Sequence, residues 1–350
     1  MTTMKELLVH GIPKLTGHIH QVPIPTPGPG EVLIKVIAAG LNPKDWKFTE
    51  SRPASSALNI GDDIAGIIHA VGPDVYEYHP GDRVAAFHRM AEPHGAYAEF
   101  AIAPVTTTFL LPPNISFESG AGLPLSAMTA AIALYQALKL PLPTAEGKKV
   151  PVLIYGGATA VGAFALQLAK LSGLGPIVTV AGKGREFVEG LGAADAIVDY
   201  REGDVVGKVL GAFGGAGAKV VLDAVSGGGS WKIVSEILER SGGGEVNMLD
   251  PPEGEWTWPE IVRHGRTFVA SAYYKGHTDI SEEQAKKDGD FAFWFYRYLS
   301  LLLARGDFKP HPVEVLDGGL EGVVGGIQAL LDGKVSAKKL VVRISDTPGL

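Results

Sequence analysis

At 350 residues, with 46% hydrophobic and 20% charged side chains, the chain is long enough for two domains of ordinary size and apolar enough to fill them. A net charge of -7 and a pI near 5.8 leave no basic patch of the kind that nucleic acid or an anionic membrane requires. The absence of cysteine removes disulfides, thiolate catalysis and Cys-rich metal sites.

The stretch Met1 to Gly11 carries Lys5 and Glu6 and no long apolar run, so it reads as a first strand and not as a signal peptide. No later run reaches membrane-spanning length, and a cytoplasmic setting is expected. From Lys5 to about Ile102 the chain alternates short strands and turns: Lys5 to His10, Glu31 to Ala39, Ile64 to Val71, Arg83 to Phe87 and Ala96 to Ile102. This predicts a β-rich, barrel-like unit. The segment Val22 to Glu31 holds four prolines, which lack the amide donor, and reads as a surface connection. At Ser116 the period changes. Ser116 is a candidate N-cap, and Ala121, Leu125, Met128, Ile132 and Tyr135 recur at helical spacing as far as Lys139.

Strands and helices then alternate: Val150 to Tyr155, Val161 to Ser172, Ile177 to Ala181, Arg185 to Gly190, Ala196 to Asp199, Asp204 to Ala212, Val220 to Ala224 and Gly229 to Leu238. Such repetition predicts a parallel sheet with helices on both faces. Gly242 to Pro251 is a further strand, inner or edge, and the stretch Glu253 to Arg266 fits no pattern. Phe291 to Arg305 reads as an aromatic-rich helix buried on one face, and Lys339 to Ile344 as a last strand with the character of the first unit.

The strand ending at Tyr155 runs into Gly156-Gly157-Ala158-Thr159-Ala160-Val161-Gly162. In a dinucleotide fold, glycines permit the sharp turn while helix amides and the positive end of the dipole face a pyrophosphate. Gly157 and Gly162 hold the outer positions of G-x-G-x-x-G, but Thr159 stands where the middle glycine belongs. The next strand ends in Ala181-Gly182-Lys183-Gly184-Arg185. An NAD site would place an acid there, on the ribose 2'-hydroxyl. Two cations suit a 2'-phosphate instead, which favours NADP(H). Solvated charges at a helix start are the alternative.

These loops, together with Leu191-Gly192-Ala193-Ala194-Asp195, Asp199-Tyr200, Gly81-Asp82-Arg83-Val84 and the ending Gly333 to Val342, resemble the medium-chain dehydrogenases/reductases nearly end to end. The similarity is to the zinc-independent branch, nearest to fungal ToxD-like proteins and trans-acting enoyl reductases. The resemblance implies an α/β protein: a GroES-like catalytic domain over residues 1–124 and 308–350, and a Rossmann NADP-binding domain over 125–307. Zinc-dependent relatives carry a Cys and a Gly-His-Glu where this chain has Gly40 to Lys47 and Gly61-Asp62-Asp63, so no metal is expected.

Carried over residue by residue, the resemblance sets Lys44, Asp45, Trp46 and Lys47 beside the cofactor. Thr159, Ala160, Val161 and Gly162 would take the pyrophosphate, and Gly182, Lys183, Gly184, Arg185 and Tyr200 the 2'-phosphate. Leu249, Asp250, Val335 and Ser336 would approach the nicotinamide. Lys47 and Thr129 are the catalytic candidates, and Ala130, Ala131, Leu134, Ser271, Tyr273, Tyr274 and Lys275 would line the substrate pocket. Asp250 departs from the family's usual Asn.

The expected reaction is hydride transfer from NADPH to the β-carbon of an enone or enoyl thioester, the latter presented on an acyl carrier domain if the protein serves a polyketide synthase. The enolate oxygen needs a donor, for which Tyr273 and Tyr274 are candidates, and the α-carbon needs a proton from a side chain or solvent. NADPH:quinone reduction and a non-enzymatic NADP-binding role are the alternatives. The chain would act as a monomer or homodimer.

Overall fold

The computed structural model describes residues 2–11, 14–50, 57–143, 149–252, 254, 256–274 and 280–350. It divides into two compact units, one of Met1–Leu125, Ala270–Gly276 and Glu282–Leu350, the other of Ser126–Val269 and His277–Ser281.

The first unit opens with β1 (Thr3–His10) and β2 (Thr16–Pro23), followed by β3 (Glu31–Gly40), α1 (Pro43–Glu50), β4 (Asp63–Val71), β5 (Arg83–Phe87), β6 (Phe100–Pro104), β7 (Thr108–Leu110) and α2 (Phe117–Ala121). At the border lies α3 (Pro124–Ala131), which continues as a π-helical run, Ile132–Ala137. The second unit holds β8 (Val152–Tyr155), α4 (Ala160–Leu171), β9 (Ile177–Val180), α5 (Arg185–Leu191), β10 (Ala196–Val198), α6 (Val205–Phe213), β11 (Val220–Asp223), α7 (Ser230–Arg240), β12 (Gly244–Met248) and β13 (Val262–Arg266). The chain then returns to the first unit with α8 (Glu282–Arg305), β14 (Val313–Leu316), α9 (Gly322–Leu331) and β15 (Lys339–Arg343).

In the first unit β1 and β2 form an antiparallel hairpin, and seven strands form a sheet in the order β14-β15-β3-β4-β5-β7, with β6 on β3. Because side chains alternate along a strand, Val32, Ile34 and Val36 of β3 all reach one core. There they meet Ile64 and Ile68 of β4, Leu340 and Val342 of β15, and Val323 and Ile327 of α9. The last strand closes this sheet through its pairing with β3.

The second unit is a six-stranded parallel sheet in the order β10-β9-β8-β11-β12-β13. Its strands β8 and β9 are buried along their whole length, the pattern of a sheet covered on both faces. The chain order reverses between β8 and β11, the position at which open parallel sheets bind ligands.

Three expectations change. The strand expected over Ala96 to Ile102 is β6, four residues later at its start, because Ala96 and Tyr97 donate sideways to Gly61 O and Asn59 Oδ1. The continuous helix from Ser116 is broken into α2, α3 and the π-helical run; Pro124 has no amide to continue α2. The unplaced stretch before Arg266 contains β13, which makes β12 an inner strand.

The aromatic helix α8 falls in the first unit, where the sequence carried the second domain to residue 307. Tyr296 donates to Pro124 O at 2.9 Å, Ser300 to Leu110 O at 2.6 Å, and Asn114 to Leu303 O at 3.0 Å. Periodicity shows that such a helix buries one face but not against which sheet. Phe291, Phe295 and Tyr296 are buried while Phe293 and Trp294 are exposed.

Candidate cofactor and active site

The loop after β8 is built from backbone geometry that glycine alone supplies. Gly156 has φ +91°, in the region an L side chain rarely adopts. A Cβ at Gly157 would lie 2.2 Å from Thr179 Oγ1, and one at Gly162 would lie 2.2 Å from Gly156 O. Thr159, at the position of the missing middle glycine, is the N-cap of α4: its hydroxyl accepts the Gly162 amide at 3.0 Å and donates to Gly156 O at 2.9 Å. The first amides of a helix have no intrahelical carbonyl, so Ala160 and Val161 present theirs at the positive end of the helix dipole. The half-burial of Gly156 and of Ala158 to Val161 leaves the loop reachable. A dinucleotide pyrophosphate fits this cradle.

At the tip of β9, Gly182 is brought against Tyr200: a Cβ there would come within 2.5 Å of the ring. Tyr200 is 52% exposed, and Lys183, the residue after Gly182, is exposed as well. Arg185, the first residue of α5, pairs with Glu189 one turn on at 2.8 Å, an exposed pair that contributes little. Asp199 is held by Arg201 through several contacts, among them 2.9 Å from Nε to Oδ1, and this hydrogen bonding lowers its pKa to about 2.

Across the switch point, β11 ends in Asp223, whose carboxylate accepts the amides of Val225 and Ser226 at 3.0 and 2.9 Å and the Ser230 hydroxyl at 2.5 Å. Ser226 Oγ in turn accepts the amide of Leu249 at 2.8 Å. Asp250 lines a cavity of about 190 Å³ with Asp223, Ser226, Trp231 and Lys232. The candidates Leu249 and Asp250 thus stand at the C-terminal end of β12, where the sheet opens.

Thr129, Ala130 and Ala131 lie on α3 and Leu134 on the π-helical run, all of them buried. Ser271 and Tyr273 belong to the first unit. Ser271 is fully buried, with no hydrogen-bond partner for its hydroxyl among the described residues. Tyr273 donates to the carbonyl of His88 and packs its ring 4.8 Å from that of Phe87. Tyr274 is 41% exposed, with φ +62°, and bonds Asp290 at 3.2 Å. Lys275 lies outside the described residues. Both tyrosine hydroxyls are therefore engaged. Val335 packs partly into the core of the first unit, and Ser336 is exposed.

The turn entering α1 is organised by charge. Lys44 reaches the carbonyl of Ile60, Asp62 Oδ2 at 2.5 Å and Asp45 Oδ1 at 3.1 Å. Asp45 also accepts the Asn42 amide at 2.8 Å and the Tyr97 hydroxyl at 2.7 Å. Asp63 accepts the Leu125 amide at 2.6 Å, the Asn42 side chain at 2.9 Å and Lys339 at 2.9 Å. All three carboxylates are fully buried. Burial, opposed by Lys44, pushes Asp62 up to about 7. Nearby, His88 touches the carbonyls of Ile102 and Glu92 at 2.6 and 3.1 Å, and burial lowers its pKa to about 4. Trp46 is half-buried and Lys47 exposed, its ammonium 5.5 Å from the Trp46 ring centre.

The charge network went unrecognised in the sequence. Its one local signal is a pair of aspartates, Asp62-Asp63, opening an otherwise apolar strand. Among the described residues no group of three or more His, Asp or Glu is disposed to hold a metal, and no helix is long and apolar enough to cross a membrane.

Two family models match the chain, the alcohol dehydrogenase GroES-like domain over residues 28–113 and the zinc-binding dehydrogenase over residues 160–286. The trans-enoyl reductase fsr4 of Gibberella fujikuroi is 37% identical over 329 residues, covering 92% of this chain and 93% of that protein. The crystal structure of the CurK enoyl reductase superposes with a TM-score of 0.72 at 24% identity, covering 97% and 98% of the two chains. That of the quinone oxidoreductase from Coxiella burnetii gives 0.71 at 24%, covering 98% and 99%.

Proposed function

The chain belongs to the medium-chain dehydrogenase/reductase family, among relatives of the fungal trans-enoyl reductases, and from that membership we propose that it is an NADPH-dependent reductase of carbon-carbon double bonds conjugated to a carbonyl. The observation that carries the cofactor half of this reading is the glycine-built loop of Gly156–Gly162 at the switch point of a parallel sheet. The substrate half follows the name of its relative.

When bound, NADPH supplies the hydride that reduces the β-carbon. The amides of Ala160 and Val161 hold the pyrophosphate at the start of α4, as the Thr159 cap leaves them free of the helix's own carbonyls. Lys183, Arg185 and Tyr200 receive the ribose 2'-phosphate. Two cations and a phenol supply charge-assisted hydrogen bonds to a dianion that NADH lacks. A structural protein would gain nothing from such selectivity, which weighs against a non-enzymatic role.

Lys47 on α1 and Thr129 on α3 are the catalytic candidates, ordering the reacting groups. With Tyr273 committed to the His88 carbonyl, the enolate oxygen is stabilised by another hydroxyl or a backbone amide. The α-carbon then takes its proton from a side chain or from solvent. The acyl group is a thioester, presented on an acyl carrier domain of a polyketide synthase.

The test is NADPH consumption without oxygen, with a short 2-enoyl thioester and a simple quinone side by side and NADH as control. Thioester turnover with NADPH preferred supports the proposal. Turnover of the quinone alone overturns it in favour of quinone reduction.

A further inference from the structure

The first turn of α1 is held from behind by charges that the reductase reading leaves without a role. Three oxygens surround the Lys44 ammonium: it donates to the carbonyl of Ile60 and pairs by charge with the carboxylates of Asp62 and Asp45. Lys44 and Asp45 therefore turn their charged ends inward, although the resemblance sets both beside the cofactor. The next two residues, Trp46 and Lys47, are half-buried and exposed. The turn is a strut on one side and a presenting surface on the other.

Charge balance singles out one member of this strut. Three carboxylates, Asp45, Asp62 and Asp63, face two ammonium groups, Lys44 and Lys339, so the buried cluster is balanced when one carboxyl is protonated. Asp45 and Asp63 each accept hydrogen bonds from neutral donors, Tyr97 and the Asn42 amide for the first, Leu125 and the Asn42 side chain for the second. Asp62 is fully buried and meets the Lys44 ammonium at 2.5 Å, but neither of its oxygens accepts from a neutral donor among the described residues. Among the described residues, Tyr273, whose hydroxyl is spent on His88, and His88 itself complete the titratable groups around the pair. The least supported carboxylate is the one that holds the proton.

We infer that Asp62 is a positioning residue of the reductase: through Lys44 it fixes the turn that presents Trp46 and Lys47, and its uncharged form is the one that holds the turn in place. The inference rests on the proposed reductase reading, since Lys47 has its role there. Burial sets the titration of Asp62 at about 7. Above that pH the cluster carries one unbalanced negative charge away from water, and the turn loosens.

The test joins two readouts across pH 5.5 to about 8.5, a range chosen to bracket an ordinary near-neutral titration. One is the fluorescence of Trp46, taken as the difference between the protein and its Trp46→Phe variant. The other is kcat and KM for NADPH-driven reduction of a 2-enoyl thioester. Both should show an inflection near neutrality, with kcat falling severalfold on the alkaline side and KM for NADPH nearly constant. Asp62→Asn cannot ionise yet keeps an oxygen toward Lys44, so it should erase both inflections and hold the low-pH rate. Asp62→Leu should lower kcat severalfold at every pH. If that variant fails to fold, Asp62→Asn still decides.

An inflection in Trp46 emission that survives in Asp62→Asn overturns the inference. A wild-type emission inflection that Asp62→Asn removes, in a protein that reduces no thioester, sinks the reductase reading and leaves the control of the turn by Asp62 standing.

Discussion

The hydroxyl of Thr159 accepts the amide of Gly162 at 3.0 Å, closing the first turn of α4 at the position where a phosphate loop of this kind has its middle glycine. The threonine thus performs a capping role that a glycine cannot, while Gly157 and Gly162 keep the close approaches. Replacing Thr159 with Ala should cost about 1 kcal/mol of stability, the usual worth of such a cap, and raise KM for NADPH severalfold. Ser should restore both. Chemical denaturation and NADPH fluorescence titration measure the two effects. Unchanged NADPH affinity in the Ala variant would remove the cap from the binding site.

Selectivity for NADPH should fall when the β9 tip loses its cations. A charge-assisted hydrogen bond is worth about 1.5–3 kcal/mol, so Lys183→Ala and Arg185→Ala should each raise KM for NADPH about tenfold or more and leave KM for NADH nearly unchanged. Equal losses with both cofactors would assign these residues to general stability.

Tyr273→Phe should separate structure from chemistry. Its hydroxyl donates to the His88 carbonyl in the interior, and leaving that carbonyl unpaired costs about 1–3 kcal/mol. The variant should melt earlier but turn over within about twofold of the parent, since no transition-state donor has been lost. A large loss of kcat with an unchanged melting temperature would return Tyr273 to the list of proton or hydrogen-bond donors.

Two buried groups should tilt the pH dependence of stability in opposite directions. Asp62 has its folded pKa raised from 3.8 to about 7, so the folded state binds a proton that the unfolded chain releases. Its contribution is complete below pH 3.8 and is lost as pH rises toward 7. His88 has its folded pKa lowered from 6.5 to about 4, so its contribution is present above 6.5 and is lost as pH falls toward 4. Between about pH 4 and 6.5 the two slopes oppose each other. Urea unfolding should therefore show Asp62→Asn gaining stability with rising pH in that window more steeply than the parent, by an amount on the order of a few kcal/mol across it. Parallel curves for the two proteins would rule out a raised Asp62.

Much of the second unit is legible in the sequence because its signals are local. Val152–Tyr155, Ile177–Val180 and Val220–Asp223 are short, mainly apolar runs between helical stretches, and each needs only its neighbours to be recognised as a buried parallel strand. The loop at Gly156 to Gly162 is read in the same way, as turn chemistry between a strand and a helix. β13 escaped because Val262-Arg263-His264-Gly265-Arg266 lies on the sheet's edge, where exposed polar side chains erase the apolar pattern.

What the sequence by itself determined is the alternation of strands and helices from β8 to α7 and the glycine turn between β8 and α4, since these depend on contacts a few residues apart. Only the tertiary structure decided that α8 serves the first unit and that Asp62, Lys44, Asp45, Asp63 and Lys339 share one buried cluster. Lys339 and Asp63 are 276 positions apart, and a charged residue carries no mark of whether its partner will be water or an ion brought back by β15. Burial and pairing together set its pKa and its role, and both are fixed only when the chain ends return to one sheet.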